Sequence, residues 1–288
     1  MRTINKVVKA QKVNMGGIFL DQAIPLRGID QISPFLLIHH WAQDFPGGQK
    51  QKQVGVGPHP HRGFTPVTLI FEGSVHHRDS LGFEDIIYAG GTQWMNSGSG
   101  IIHSERPGKE IAENGGKFEI IQFWVNSPAS NKMDKAFYQP LKKDTMPQVV
   151  SKDKKFEIGV VAGKFQDKSS PLRSLTPMLV LRIDYTEGGE IEIPLPSDFN
   201  ALLYQLDGTL DVNGTEASDK DMVWFNNDGD KIVLKSKKAG RAILLSGKPI
   251  EESLATYGPF VMNTQEEIMT AINDYQSGKM GQLIEKFE

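Results

Sequence analysis

Short runs of β-forming residues, separated by glycine-containing turns, extend along most of the chain and constrain its fold more than any other feature. Examples are residues 68–71, 118–125, 178–185 and 242–245. Between such runs stand turn sequences such as Glu-Gly-Ser, Gly-Gly, Asp-Gly and Asn-Gly, and the 288 residues include 29 glycines. Many short strands with glycine turns between them are typical of β-sandwiches and β-barrels, so we predict an all-β fold.

One segment near the end of the chain has a helical pattern instead. Thr264 and Glu267 have the spacing of a capping box, apolar residues follow at helical intervals, and a Ser-Gly pair ends the pattern. We therefore predict a helix near residues 264–277. A second helical piece is expected over residues 281–287.

A polar segment separates two β-rich parts of the chain. Residues 128–171 are rich in lysine, aspartate and serine and contain one strand-like run, at 156–161. We therefore predict an N-terminal domain over residues 1–127, a connecting segment over 128–171 and a C-terminal domain over 172–288 that ends in the helix.

The two β-rich parts share sequence patterns in the same order. "LIFEGSV" at 69–75 resembles "YQLDGTL" at 204–210, an offset of 135 residues. "QWMNSGSG" at 93–100 resembles "VWFNNDGD" at 223–230, an offset of 130. Two matches in the same order at nearly the same offset indicate a duplicated β unit.

The histidines do not follow this duplication, because all seven lie within the first 103 residues. A side chain that served only the fold would be needed in both copies, so the one-sided distribution favours a chemical role. At the two offsets, His59, His61, His103 and Glu105 correspond to Pro194, Pro196, Val233 and Lys235.

Two pairs of side chains have the spacing of metal ligands on strands. His59 and His61 are separated by one residue, as are His103 and Glu105. Because residues i and i+2 of a strand point to the same face, each pair presents two side chains in one direction. Two such pairs on facing strands would supply three imidazoles and one carboxylate. This donor set suits a divalent metal such as iron(II), manganese, nickel, copper or zinc.

The other four histidines form two adjacent pairs. Adjacent residues of a strand face opposite sides, so we expect His76 and His77 at the surface or behind the metal ligands. His39 and His40 are expected to be packed or hydrogen-bonded, although one of them could approach the metal.

Composition excludes several other chemistries. The chain has no cysteine, which excludes disulfides, iron–sulfur clusters and cysteine nucleophiles. Its formal charge of −3 gives no basic excess for direct nucleic-acid binding. It contains no P-loop, no Gly-x-Ser-x-Gly and no dinucleotide-binding glycine motif. With no secretory signal and no apolar run of membrane-spanning length, we expect a soluble cytoplasmic protein without a membrane partner.

Several longer motifs resemble those of a known family. The stretches "HPHRGF", "EGSVHHRDSLG", "QWMNSGSGIIHSE", "IIQFWVNSP" and "GPFVMNTQEEIMTAINDYQSGKMG" are similar to pirins, within the cupin superfamily, and the resemblance covers nearly the whole chain. It implies a bicupin fold: two cupin-type antiparallel β-barrels (double-stranded β-helix) packed face to face, with a short C-terminal helix. The resemblance also implies that only the N-terminal barrel holds metal, typically iron. The implied ligands are His59, His61, His103 and Glu105.

One stretch departs from the family pattern. Where pirins often have a glutamate shortly after the His-x-His pair, this chain has Thr65 and Pro66. Glu105 can still complete a set of four ligands. We therefore expect the change to affect the surroundings of the metal and the flavonol activity more than metal binding itself.

The resemblance implies an activity and leaves two alternatives. Several pirins have quercetin 2,3-dioxygenase activity, which implies a small aromatic, flavonol-like substrate, O2, and Glu105 as the base that takes a hydroxyl proton. Phe64, Trp94 and Phe123 could wall the substrate pocket or belong to the core. One alternative is a metal-dependent regulatory module that binds a protein partner, since other pirins are iron-dependent transcription co-regulators. The other is a closed zinc site.

Overall fold

The structure is a computed structural model that describes residues 1–287, and β-strands make up most of its regular elements. The strands are β1 Ile4–Lys9, β2 Gln11–Met15, β3 Ile18–Ile24, β4 Phe35–Phe45, β5 Val56–His61, β6 Phe64–Glu72, β7 Ser74–Asp79, β8 Glu84–Tyr88, β9 Thr92–Asn96, β10 Ile101–Pro107, β11 Gly116–Asn126, β12 Phe137–Leu141, β13 Gln148–Val150, β14 Phe156–Ala162, β15 Lys164–Phe165, β16 Lys168–Ser169, β17 Met178–Tyr185, β18 Glu190–Pro194, β19 Asn200–Val212, β20 Thr215–Ser218, β21 Asp221–Phe225, β22 Lys231–Gly247, β23 Ala255–Tyr257 and β24 Phe260–Met262. The helices are α1 Lys109–Asn114 and α2 Gln265–Gln276, and 3₁₀ turns cover Gln51–Gln53 and Ala129–Asn131. The predicted all-β class with a C-terminal helix is confirmed.

Contacts divide the chain into two units, each assembled from several segments. All seven histidines belong to one of them, which we call the histidine unit, and the other is called the aliphatic unit. The histidine unit consists of Asn14–Leu20, His39–Asp144 and the chain from Ile250 onward, and the aliphatic unit of Met1–Val13, Asp21–Ile38 and Thr145–Pro249.

The histidine unit contains two antiparallel sheets that position the candidate site. One has the order β5-β10-β7-β8, and the other includes β12-β9-β6-β11 in that order. Strand β6 is rich in β-branched and aromatic residues, and all of it except Glu72 is buried. In the central strand β10, His103 and Glu105 alternate with Ser104 and Arg106, so the two pairs face opposite sides of the sheet.

The aliphatic unit is built on one large antiparallel sheet. Its order is β1-β21-β19-β22-β17-β14-β13, with β18 paired to β22 and β20 paired to β19. Its core is a cluster dominated by buried valine, isoleucine and leucine side chains from these strands. The regular alternation of buried and exposed residues in β18 explains why this unit forms strands with one apolar face.

The strand pairing supports the duplication inferred from the sequence. Val67 of β6 pairs with Trp94 of β9, and Leu202 of β19 pairs with Trp224 of β21. These four residues match one another at the predicted offsets of 135 and 130. The two units therefore share this strand pair in the same register.

The strand pair that carries the histidines also has a counterpart, although constant offsets misplace it. In β5 and β10, His59 pairs with His103 and His61 pairs with Ile101. In β18 and β22, the buried pairs are Ile191 with Leu234 and Ile193 with Ile232. Pro194 and Val233, which the two offsets assign to His59 and His103, are not paired with each other, so the two offsets do not both hold across this strand pair. Strands β18 and β22 therefore carry buried aliphatic side chains at paired positions of the kind that carry histidines in β5 and β10.

Residues 128–171 contain strands that their sequence does not reveal. The expected run at 156–161 lies within β14, and β12, β13, β15 and β16 are additional. Strand β12, with the mixed sequence "FYQPL", pairs with β9, and the three-residue β13 pairs with β14. Such short mixed sequences become strands through pairing with a neighbour rather than through their own pattern.

The end of the chain agrees with one prediction and corrects another. Helix α2 begins with the predicted capping box, in which Thr264 Oγ1 accepts from the Glu267 amide and the Glu267 carboxylate accepts from the Thr264 amide. Residues 281–287 are not helical, contrary to prediction. There the Glu285 carboxylate accepts hydrogen bonds from Arg106 Nε and Nη2 at 2.6 and 2.7 Å, so a tertiary ion pair holds this segment. Neither helix within residues 1–287 has the length and apolarity that crossing a membrane requires.

Candidate metal centre

The structure brings the three histidines of the predicted ligand set together. One nitrogen from each of His59, His61 and His103 lies within 4.8 Å of the other two. The Nε2 atoms of His59 and His103 are 3.0 Å apart. The three ring centroids are separated by 4.4 to 4.9 Å. This follows from the pairing of β5 with β10, which places His59 opposite His103.

Glu105, the fourth predicted ligand, lies beside the imidazoles rather than within their group. Its Oε2 is 3.9 Å from His103 Nε2. The carboxylate accepts hydrogen bonds from Thr68 Oγ1 at 2.8 Å and from Gln122 Nε2 at 2.7 Å. These two donors fix the orientation of the carboxylate next to the three rings.

Backbone carbonyl groups orient two of the imidazole rings. His59 Nδ1 donates to the Gly57 carbonyl at 2.8 Å, and His61 Nδ1 donates to the Pro259 carbonyl at 3.4 Å. Because a carbonyl oxygen only accepts, each Nδ1 carries the proton and each Nε2 presents a lone pair. Within residues 1–287, the buried Nε2 of His61 has no hydrogen-bond partner. A buried acceptor without a donor fits a position that a cation would occupy.

Burial keeps the imidazoles of His61 and His103 neutral. It lowers the pKa of His61 and of His103 well below the ordinary value of 6.5, and the proximity of His59 lowers both further. A neutral imidazole is the form that binds a metal ion. Both rings are therefore ready to act as ligands at neutral pH.

Two aromatic side chains stand next to His61. The ring of Phe64 is 4.9 Å from His61 and that of Trp124 is 5.5 Å from it, measured between centroids. All three predicted wall residues, Phe64, Trp94 and Phe123, are at most 1% exposed and pack in the core. The ring of Phe64 contacts His61 from within that core.

The polar pair that holds Glu105 was not predicted from the sequence. Thr68 of β6 and Gln122 of β11 are directly opposite each other, and Trp124 Nε1 donates to Gln122 Oε1 at 3.2 Å. A detectable signal was the single glutamine in the otherwise apolar run "IIQFWV" of β11. A polar side chain within a buried strand needs a partner, which here is the carboxylate.

The His76–His77 pair is buried, and one of its rings lies close to the metal ligands. His77 is 1% exposed, stacks on Tyr138 with ring centroids 4.2 Å apart, and contacts Asp79 Oδ2 at 3.0 Å. Its ring is 5.5 Å from that of His103. The expectation of a surface position is wrong for both members of the pair, whereas a position behind the ligands is correct for His77.

The other adjacent pair does not join the site. His40 is fully buried and its Nε2 contacts Glu119 Oε1 at 2.8 Å, as expected for a packed, hydrogen-bonded histidine. Burial lowers the pKa of His39 to about 4. Within residues 1–287, neither ring belongs to the group of histidines that converge.

The residues that replace the glutamate of the family pattern lie inside strand β6. Thr65 is buried, and Pro66 pairs with Trp124 of β11. Three residues after Thr65, the hydroxyl of Thr68 donates to Glu105. The same strand therefore still contributes to the surroundings of the site, through a hydroxyl group instead of a carboxylate.

Each of the two β-rich parts of the chain matches a known family model. The family model described as pirin matches residues 18–125, and the model described as the pirin C-terminal cupin domain matches residues 180–281. The two matches together cover more than half of the chain.

Individual relatives agree with the family models over most of their length. Pirin-like protein 2 of Arabidopsis thaliana is 35% identical over 91% of this chain and 81% of its own. The crystal structure of quercetin 2,3-dioxygenase from Acinetobacter baumannii superposes with a TM-score of 0.93 and 32% identity, covering 99% of this chain and 100% of that one. Escherichia coli pirin YhhW, crystallised with nickel(II), shares the fold with a TM-score of 0.66 and 20% identity, covering 85% of this chain and 99% of that one. The chain therefore belongs to the pirin family and has an N-terminal and a C-terminal cupin domain.

Proposed function

We propose that the chain binds one divalent metal ion, with iron(II) the preferred ion, through His59, His61, His103 and Glu105. We further propose that it is an oxidoreductase of the quercetin 2,3-dioxygenase type, which cleaves a flavonol-like substrate with O2. The observation that carries the proposal is the convergence of three imidazoles, one of which has a buried Nε2 without a hydrogen-bond partner in residues 1–287.

The donor atoms favour a metal of intermediate softness. Three imidazoles and a carboxylate suit iron(II), manganese, nickel, copper and zinc, and the chain has no cysteine to supply a thiolate. His59, His61, His103 and Glu105 would be the side chains that hold the ion. When bound, the metal would supply a Lewis acid for the substrate oxygen atoms and a redox centre for O2.

Glu105 is positioned to receive a proton from the substrate. Its carboxylate lies 3.9 Å from His103 and is held by Thr68 and Gln122, so it can face a hydroxyl group placed among the imidazoles. A carboxylate in this place acts as a general base toward the substrate hydroxyl. Thr68 and Gln122 then orient the carboxyl group before and after proton transfer.

The surroundings of the site suit a flat aromatic substrate. Phe64 and Trp124 place their rings beside His61, and Trp124 is only partly buried. His59 is also partly exposed, so the imidazole group is not sealed from solvent. An accessible centre beside the partly exposed ring of Trp124 supports a catalytic site over a closed structural zinc site.

The metal assignment is tested by metal analysis of protein expressed with iron. We expect one equivalent per chain in the wild type and loss of most of the metal in His59→Ala and His103→Ala. His76→Gln is the matched control, because its ring lies on the opposite face of β7 from His77. Full metal content in both alanine variants would refute the ligand assignment.

The activity is tested by O2 uptake with quercetin and the iron-loaded protein. Turnover should exceed that of free iron, and Glu105→Gln should lower kcat at a metal content that is determined in the same sample. Turnover no greater than that of free iron would remove the dioxygenase assignment. Metal binding without turnover would instead favour the regulatory alternative, a metal-dependent module that binds a protein partner.

A further inference from the structure

We propose a second binding site, for a small molecule that carries two or more negative charges, such as a phosphate ester or a di- or tricarboxylate. It is a cavity of about 660 Å³ in the histidine unit, on the face of β7 that bears His76 and Arg78. The alternate residues of that strand, His77 and Asp79, face the metal centre instead. The cavity is therefore separate from the metal ligands, and the inference does not rest on the proposed activity.

The charge of the cavity wall favours an anion. Two carboxylates, Glu84 and Glu113, also line it, which leaves an excess of three positive charges in a chain whose formal charge is −3. Burial, reinforced by the nearby Arg78, lowers the pKa of His76, so this ring adds no charge at neutral pH. A local excess of this size attracts a multiply charged anion more strongly than a monovalent one. The cationic side chains of the wall are Lys50, Lys52, Arg78, Lys109 and Lys286.

Arg78 offers a buried hydrogen-bond donor to an anion. The residue is 7% exposed, and its Nε donates to Glu84 Oε1 at 2.8 Å. Its buried Nη1 has no hydrogen-bond partner within residues 1–287. Glu285 Oε1 is 3.9 Å from that atom, which is beyond hydrogen-bond distance. A buried guanidinium nitrogen without an acceptor costs free energy, and an anionic oxygen in the cavity would relieve that cost.

Arg106 shows that the same surroundings can give each nitrogen of a guanidinium group an acceptor. Its Nε and Nη2 donate to the two oxygens of Glu285, and its Nη1 donates to the carbonyls of Lys52 and Val54. Arg106 does not line the cavity. Of these two arginines, the one that lines the cavity, Arg78, is therefore the one with a nitrogen, Nη1, that lacks an acceptor within residues 1–287.

Phe287 and Ile86 add an apolar wall. The Phe287 ring lies 5.2 Å from Arg78 Cζ and 5.4 Å from Arg106 Cζ, a distance at which a cation–π contact restrains both guanidinium groups. The volume lies within the range of about 300–1,000 Å³ that is typical of small-molecule sites. It exceeds what an inorganic oxyanion fills, so an anion with an organic part fits better.

The site is tested by calorimetric titration of the full-length, metal-loaded protein with phenyl phosphate, inorganic phosphate and citrate. Acetate at matched ionic strength is the monovalent control. We expect saturable binding of phenyl phosphate or citrate, weaker binding of inorganic phosphate, none of acetate, and weaker binding as salt is added. Tighter binding of phenyl phosphate than of citrate would identify the ligand class as a phosphate ester. Tighter binding of citrate would identify it as a polycarboxylate. Absence of binding by all three polyanions at millimolar concentration would overturn the proposal.

Substitutions in the cavity wall test whether the anion binds in this cavity. Exposed Lys50→Ala and Lys109→Ala should each weaken binding by about two- to fivefold, as expected for a screened surface charge. Arg78→Lys keeps the charge but loses the planar fork, and should weaken binding about tenfold or more. Lys168→Ala, an exposed lysine of the aliphatic unit, is the control and should change nothing. If Arg78→Lys does not fold, the lysine variants decide, and unchanged affinity in both would refute the site.

Discussion

A buried lysine joins three separate parts of the histidine unit. Lys132 is 1% exposed, and its Nζ donates to the Gly63 carbonyl at 2.8 Å, to Asn126 Oδ1 at 2.6 Å and to the Val261 carbonyl at 3.0 Å. Gly63 lies in the two-residue link between β5 and β6, so this ammonium group supports the end of β5. All three acceptors are uncharged, and burial lowers the pKa of Lys132 to about 8 from an ordinary 10.5.

This pKa makes stability depend on pH in a defined direction. Between about 8 and 10.5 the unfolded chain binds more protons at Lys132 than the folded chain, so the free energy of unfolding rises with pH. The full difference corresponds to about 3 kcal/mol, since one pKa unit equals about 1.4 kcal/mol. Between about pH 7.5 and about pH 9.5, roughly 2 kcal/mol of it is recovered. Lys132→Met removes this contribution.

The measurement is urea denaturation of the wild type and of Lys132→Met at a series of pH values. The difference in unfolding free energy between them should change by about 2 kcal/mol across that interval. Other titrating groups are common to both proteins and cancel. Lys164→Met, at an exposed lysine, should give no such change. Parallel pH curves for the wild type and Lys132→Met would show that the ammonium is not desolvated as the structure indicates.

Three further predictions concern the site and the end of the chain. Gln122→Leu removes the donor to Glu105 Oε2 and should weaken metal affinity by about 10- to 100-fold in chelator competition, so unchanged affinity would contradict the role given to this amide. Gly63 has φ of +85°, and an added Cβ would lie 1.9 Å from the Val261 carbonyl oxygen; we expect Gly63→Ala to cost about 2–4 kcal/mol in urea denaturation, and a loss below about 0.5 kcal/mol would argue against this close approach. Thr264→Ala removes the cap of α2 and should lower stability by about 1 kcal/mol, measured as a lower thermal midpoint, whereas an unchanged midpoint would mean that the cap adds nothing.

The residue spacing was sufficient to predict the imidazole group. A His-x-His pair fixes two side chains on one face, and pairing of β5 with β10 then needed only to place His103 opposite His59. The duplication pointed to the same residues, since the second copy has no histidine at all. Both signals can be read from the sequence without knowledge of the tertiary structure, because one is local and the other is a repeat.

Other parts of the site depend on tertiary contacts that no local pattern contains. Alternation shows that His76 and His77 face opposite sides, but both sides of β7 are covered, so both residues are buried. Tyr138, which stacks on His77, comes from a segment with the composition of a linker. Residues 281–287 form no helix because Glu285 is bound by Arg106, a partner 179 residues earlier in the chain.

Both units contain a strand pair of the β5–β10 kind, with imidazoles in one unit and hydrocarbon side chains in the other. The same backbone arrangement is therefore formed with and without metal-binding side chains in one polypeptide. Antiparallel pairing brings Ile191, Ile193 and Leu234 together in the pattern by which it brings His59, His61 and His103 together. Replacing these three aliphatic residues by histidine would test whether this pairing pattern alone is enough to build a coordinating triad. The reverse exchange would give a histidine unit that keeps its strand pairing but has lost its reactive centre, a reference protein for separating what the ion does from what the scaffold does.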